Sequence, residues 1–496
     1  MRRMVMFAGL LGILSGFHYF SNTYGKSDEG ESVKRVLLVN DGYIVAGNGH
    51  SKGWILKVDS TGGVVWYRYL TGMYLRDLVG RGDAGFAGVA SPNHDTIIFF
   101  KMNTSGEVTY SHWYTDPDHQ LNFLNVHIDK CSDGKFYISG PADKAVGFDL
   151  HFYYFVILID SSGNPIRSKL FFIGTDGSTH GEYASHNNGT NLLMSMTNYS
   201  FTGASILQID STMNIIWSKR VYSSDQSPYF FTPMDMSEFA NGFVLAGYRS
   251  YNHENIALTA IDSSGNPLWF GVYKANYPNS GDKAIDVSSS SGGVAVAANG
   301  MDWDVGIGTF IYLKVSGDGH LSWSKRFSDP GGKTVTAGGI CQTGDGPFLL
   351  GGTFDEETSS DYLVFTVTSG GDYPDACPYI SDIAITDSVK SVSEDNVSVT
   401  AEPFSLMDGD YQVGGYPFEV TSLCGVATFV EERGCGCSKG SLVFRSLALE
   451  RDQVFRVYTI DGRLVYSGRG KTLRLPVGVY IVRAISGERS KVVILK

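Results

Sequence analysis

The pentapeptide Gly49-His50-Ser51-Lys52-Gly53 has the spelling of a nucleophile elbow, which presents a serine on a strained turn for acyl transfer. That device needs a strand before it and a helix after it. Here the apolar stretch 54–58 follows, so the motif reads as a loop between two strands. Gly332-Lys333-Thr334 and Gly470-Lys471-Thr472 end like phosphate loops, yet neither has the earlier glycine nor opens a helix. Asp302-Trp303-Asp304 and Asp408-Gly409-Asp410 gather oxygen ligands of the kind calcium takes, although ordinary acidic turns have the same spelling. Calcium is the one cofactor left open. The 11 histidines show no paired ligand spacing. Two long insertions, 142–152 and 171–182, would carry His151, Asp176 and His180 near one face, where locally satisfied loop residues are the plainer reading. No pair of carboxylates stands out for sugar hydrolysis, and no catalytic residue is assigned.

The composition explains why chemistry is hard to find in short motifs. The 496-residue chain has 43% hydrophobic and 18% charged residues, with 60 Gly, 28 Tyr and 29 Phe. Aromatic residues fit pleated surfaces and glycines fit turns, so an all-β chain of two or three folding units is expected. A net charge of −12 without Lys or Arg clusters speaks against nucleic acid as a partner, because phosphate neutralisation needs clustered cations.

Internal repetition is the dominant signal. One half-unit is a turn and an apolar strand ending in a small residue, as in Asp41-Gly-Tyr-Ile-Val-Ala-Gly47 and Asn241-Gly-Phe-Val-Leu-Ala-Gly247. The other is a hairpin, as in Ile261-Asp-Ser-Ser-Gly-Asn-Pro-Leu-Trp269. Its Asp-equivalent positions are 59, 103, 160, 210, 262, 316 and 368. Each period of roughly 50 residues holds four short strands and their turns, one blade of a propeller. Seven blades are expected over residues 32–376. Pro374 and Pro378 interrupt the outer strand expected of the last copy, which leaves ring closure open.

Trp66, Trp217, Trp269 and Trp323 close four of the hairpins, with Tyr110 and Arg167 in two others. This pattern resembles the tryptophan-docking repeats of quinoprotein-like propellers, and it implies packing between blades rather than activity. Quinoprotein dehydrogenase chemistry would want adjacent cysteines, whereas Cys131 and Cys341 are isolated. Cys377, Cys424, Cys435 and Cys437 crowd together further on. Cys435 and Cys437 are too close for an easy mutual bridge, so one of them is expected to pair with Cys424 or Cys377. Zinc held by the same four would lack the usual ligand gap.

Residues 377–440 alternate apolar and polar over short runs and read as a linker or partial strand layer on the propeller. From 441 to 496 the chain reads as a small β-sandwich, with a hairpin around Asp461-Gly462. Val457-Tyr-Thr-Ile-Asp-Gly-Arg463, the stretch 475–483 and Lys491-Val-Val-Ile-Leu-Lys496 resemble the C-terminal sorting domain of type IX secretion. The resemblance implies delivery through the periplasm to the cell surface or the medium, with the type IX machinery as a partner of residues 441–496. Arg2, Arg3 and the apolar run 5–20 fit a signal peptide over residues 1–25, a retained anchor being the alternative. The expected function is an exported, monomeric binding scaffold for a glycan or protein. A secreted polysaccharide hydrolase or lyase is the rival, and carboxylates or histidines converging in the central channel would favour it.

Overall fold

The computed structural model describes residues 20–25, most of 31–424 apart from short loops and residues 410–418, and four strands between residues 446 and 495. Side chains are described as far as residue 386. No helix occurs among the described residues.

Seven antiparallel sheets stand around one axis. Their axial strands are Glu31–Val39, Tyr74–Gly80, His127–Lys130, Tyr183–Asn188, Thr232–Phe239, Ser280–Ser290 and Val335–Gln342. Each lies beside the axial strands of the sheets before and after it, and the last lies beside the first. The all-β chain is a seven-bladed propeller.

Closure comes from the N-terminus. Ser21–Gly25 is the fourth strand of blade seven, with Ser21 opposite Phe365 and Tyr24 opposite Tyr362. Among the described residues the propeller therefore includes Phe20 and Ser21–Gly25 ahead of residue 32, and the expected leader of residues 1–25 overlaps its closing strand. The outer strand that the sequence places near Pro374 and Pro378 is instead supplied from the other end of the chain.

Beyond blade seven the chain turns back and runs around the rim. Ile380–Asp382 adds a fifth strand to blade six, Ile385–Lys390 to blade five and Val392–Asn396 to blade four. Thr400–Pro403 follows on blade three and Met407–Gly409 on blade two. Glu419–Cys424 then pairs with the N-terminal strand, outside blade seven. Residues 377–424 thus form a belt that covers sheet edges which would otherwise expose unpaired amides and carbonyls. In the tail, Ser446–Thr459, Leu464–Arg474, Gly478–Ala484 and Ser490–Leu495 make one four-stranded antiparallel sheet. The strands flanking Asp461-Gly462 pair, as a hairpin requires. A second sheet that would make it a sandwich is not among the described residues.

Each of the seven junctions between blades holds its own apolar cluster. The hairpin turns work as their spelling requires. The Asp262 carboxylate accepts the amides of Ser264 and Asn266 at 2.9 and 2.8 Å, and Gly265 takes φ +81°. The closing tryptophan of one blade then lies on the turn glycine of the next: Trp66 on Gly106, Trp217 on Gly265, Trp269 on Gly319 and Trp323 on Gly371. Their indoles also lock down: Trp269 Nε1 donates to the Gly317 carbonyl at 3.0 Å, and Trp66 Nε1 to that of Thr104 at 2.9 Å. Tyr110 covers Gly163 in the same way. The exception fits the rule. Arg167 is exposed and covers nothing, and the turn it would face has Met213 at φ 61° instead of glycine. Where no ring presses on the turn, a Cβ fits at the cost of the backbone strain alone, and the Met213 side chain is itself buried in the cluster between blades three and four.

Candidate functional site

The axial strands carry a repeated irregularity. In blades one, two, five, six and seven the register slips by one residue, just before Arg35, Asp77, Asp235, Asp286 and Gly339. A bulge bends the strand and re-aims the next side chain. Here it brings Arg35, Asp77, Asp235 and Asp286 together on the axis.

Arg35 binds across the ring. Its Nε is 2.9 Å from Asp77, and its Nη1 is 3.1 Å from Asp286 and 3.6 Å from Asp235. The three aspartate side chains are 5–6% exposed and the whole arginine side chain 23%. Blade three adds His127, whose Nδ1 is 3.6 Å from Asp77 Oδ2. It also adds Asp129, whose Oδ2 accepts the Ser185 hydroxyl of blade four at 2.6 Å.

The carboxylates also stitch neighbouring blades together. Asp77 accepts the Ile128 amide at 3.1 Å, and Asp129 accepts that of Asn187 at 3.2 Å. Asp235 accepts the Val287 amide at 3.0 Å, and Asp286 accepts that of Ile340 at 2.8 Å. Each acid reaches from its own axial strand to the axial strand of the next blade.

Four acids around one arginine leave an excess of negative charge in a poorly solvated place, so protons are retained. Burial, and then the neighbouring Asp286, raises Asp235 well above the carboxylate range, with Arg35 opposing. Burial lifts Asp129 to about 6, against the Ser185 hydrogen bond that pulls it down. Burial lowers His186, keeping that imidazole neutral. Asp235 is thus the carboxyl of the ring inclined to keep a proton, with Asp286 beside it. Among the described residues no group of His, Cys, Asp and Glu has the arrangement of a metal site.

The residues singled out from sequence lie elsewhere. Gly49 pairs with Lys52 across a hairpin between two strands, so no strand-to-helix elbow exists there. Lys333 and Thr334 lie in a loop, where the Lys333 amide donates to Asp329 and Thr334 Oγ1 accepts the Gly308 amide. Gly470-Lys471-Thr472 lies inside a strand of the tail. His151 packs beside Phe172, with ring centroids 5.2 Å apart. Asp176, His180, Trp303, Asp304 and Asp410 lie outside the described residues. Cys131 and Cys341 are free, and burial first of all pushes both thiols up to about 12, which makes them poor nucleophiles.

No family model matches the chain, and no curated protein does. Solved structures do. A neuraminidase-like protein from A/bat/Guatemala/164/2009 aligns over 70% of this chain and 91% of its own, at 9% identity and a TM-score of 0.35. A subtype N10 neuraminidase-like protein of A/little yellow-shouldered bat/Guatemala/060/2010 aligns over 69% and 97%, at 10% identity and a TM-score of 0.32. Likeness at that level says nothing about residues, and the blade count stands on the sheet topology.

The axial acids carry a sequence signal. Arg76-Asp77-Leu78, Met234-Asp235-Met236 and Ile285-Asp286-Val287 stand at nearly the same offset before the next strand of their blades. An acid recurring there, inside an otherwise apolar repeat, marks the wall of the channel.

Proposed function

We propose that the protein is an exported propeller that binds a glycan or protein ligand at the cell surface or in the medium, delivered by a type IX secretion-like tail. The observation that carries the binding reading is the engagement of Asp77, Asp129, Asp235 and Asp286 by amides of the following blades. Acids used in that way hold the ring together, which leaves the loops between strands as the surface that can vary. Support for export comes from the basic and apolar N-terminus and from the motif spelling of residues 441–496. The type IX machinery would be the partner of that tail.

A second reading, a secreted hydrolase or lyase, is favoured by one observation. Carboxylates from four blades and the His127 imidazole do converge on the axis, where Asp235 lies beside Asp286. An array of bacterial and plant polysaccharides, read for both binding and released product, separates the two. Retention without product is expected. Product formation that disappears in Asp235→Asn with the fold intact would establish the enzyme instead. For export, deletion of residues 441–496 is expected to leave the protein in the periplasm, and undiminished surface display would overturn the sorting role.

A further inference from the structure

Cys377 is disulfide-bonded, and its partner is outside the described side chains. Backbone placement narrows the choice. The Cys377 carbonyl accepts the Ile380 amide at 3.2 Å, which holds the cysteine at the start of the belt, where Ile380 pairs with Phe327 of blade six. Tyr379 stacks on Phe327 with centroids 5.4 Å apart, and Phe327 lies 4.7 Å from Phe365 of blade seven. Phe365 is opposite Ser21, and Ser21 is opposite Cys424 at the end of the belt. The two ends of the belt therefore meet at the junction of blades six and seven. The other two thiols without an assigned state, Cys435 and Cys437, lie further along the chain.

We propose that Cys377 and Cys424 form a disulfide that closes residues 377–424 into a covalent hoop around the rim of the propeller. The intervening chain, at about 3.3 Å per extended residue, spans on the order of 150 Å, enough to travel around a rim rather than across one face. Its path visits blades six, five, four, three, two and seven in that order. Bond formation removes a proton and an electron from each thiol. A disulfide-bearing oxidoreductase accepts the two electrons by exchange and leaves as a dithiol. The proposal rests on export only for this oxidant; the pairing itself rests on the fold.

The test uses full-length protein isolated without reductant, with free thiols alkylated before digestion and mass spectrometry. The expected result is a peptide pair joining Cys377 to Cys424 that disappears on reduction. A pair joining Cys377 to Cys435 or Cys437, or an alkylated Cys377, overturns it. In the Cys435→Ser/Cys437→Ser double variant, the same cross-linked pair is expected at undiminished yield, and its loss also overturns the proposal. Repeating the digest on protein refolded in a glutathione redox buffer tests the pairing without export, so failure of one is not failure of the other.

Discussion

The axis and the rim of this propeller solve the same problem with different physics. On the axis, neighbouring blades are joined by charge: Arg35 spans three acids from blades two, five and six, and each acid also accepts an amide from the blade that follows. On the rim, a single segment pairs backbone to backbone with six of the seven sheets. The axial solution concentrates its effect in a few side chains that depend on one another. The rim spreads it over many weak increments. One substitution should therefore damage the axis far more than the rim.

Arg35→Met gives the sharpest test. It leaves buried Asp77, Asp235 and Asp286 without their counter-ion, a situation that costs about 3–5 kcal/mol. Urea unfolding at neutral pH should show that loss, and the loss should shrink in acid, where protonated carboxyls no longer need the guanidinium. A deficit unchanged by pH would mean that Arg35 acts through packing alone.

Next comes Gly106→Ala, which attacks the layer between axis and rim. The new Cβ would stand 2.7 Å from the Trp66 ring at a φ of +76°, so steric strain and backbone strain add to about 2–3 kcal/mol. The reverse exchange in blade four, Met213→Gly, would relieve a φ of 61° but empty a buried place in the cluster between blades three and four, so a net loss of about 2–4 kcal/mol is expected.

The pH dependence of the axis can be isolated at Asp129. The folded protein holds its proton to about 6, whereas the unfolded chain releases it near the ordinary carboxylate value of about 4. The stabilising contribution is therefore complete below about pH 4 and is lost as the pH rises through 6. Asp129→Asn, which has no proton to lose, should flatten that decline by about 2 kcal/mol between pH 4.5 and 7. Equal slopes in the two proteins would contradict the assignment.

Smaller effects belong to the periphery. Asp262→Ala removes the acceptor for two turn amides and should cost about 1 kcal/mol by thermal unfolding. Val389→Pro, in the belt strand opposite Gly271, should change global stability by less than about 1 kcal/mol. It should nevertheless raise hydrogen exchange along Pro267–Ala275, and protection that stays uniform there would argue against a belt of independent increments.

The repeat was legible because each blade spells out its own local physics. Asp or Asn at the turn, glycine at positive φ and a closing tryptophan are short-range requirements, and Ile261 to Trp269 displays all of them within one hairpin. Arg167 is visible in the sequence as a departure from the closing ring, but its place opposite the Met213 turn emerges only when two blades are laid together. The axial ring was harder. Arg35 and Asp235 are separated by the whole of three blades, and nothing near either residue signals the other. The closing strand was hidden for a related reason: Ser21–Gly25 has the small and polar character expected after an apolar leader, and its partner strand is at the far end of the repeats. The belt has short strands whose pairing is set by the edges already present rather than by their own alternation.

Because blade seven combines residues 335–367 with residues 21–25, no complete ring can exist until almost the entire repeat region is available at once. The last junction to form joins segments of very large sequence separation, which makes folding slow and leaves an open arc with two unfinished sides in the meantime. Synthesis order alone cannot finish the molecule.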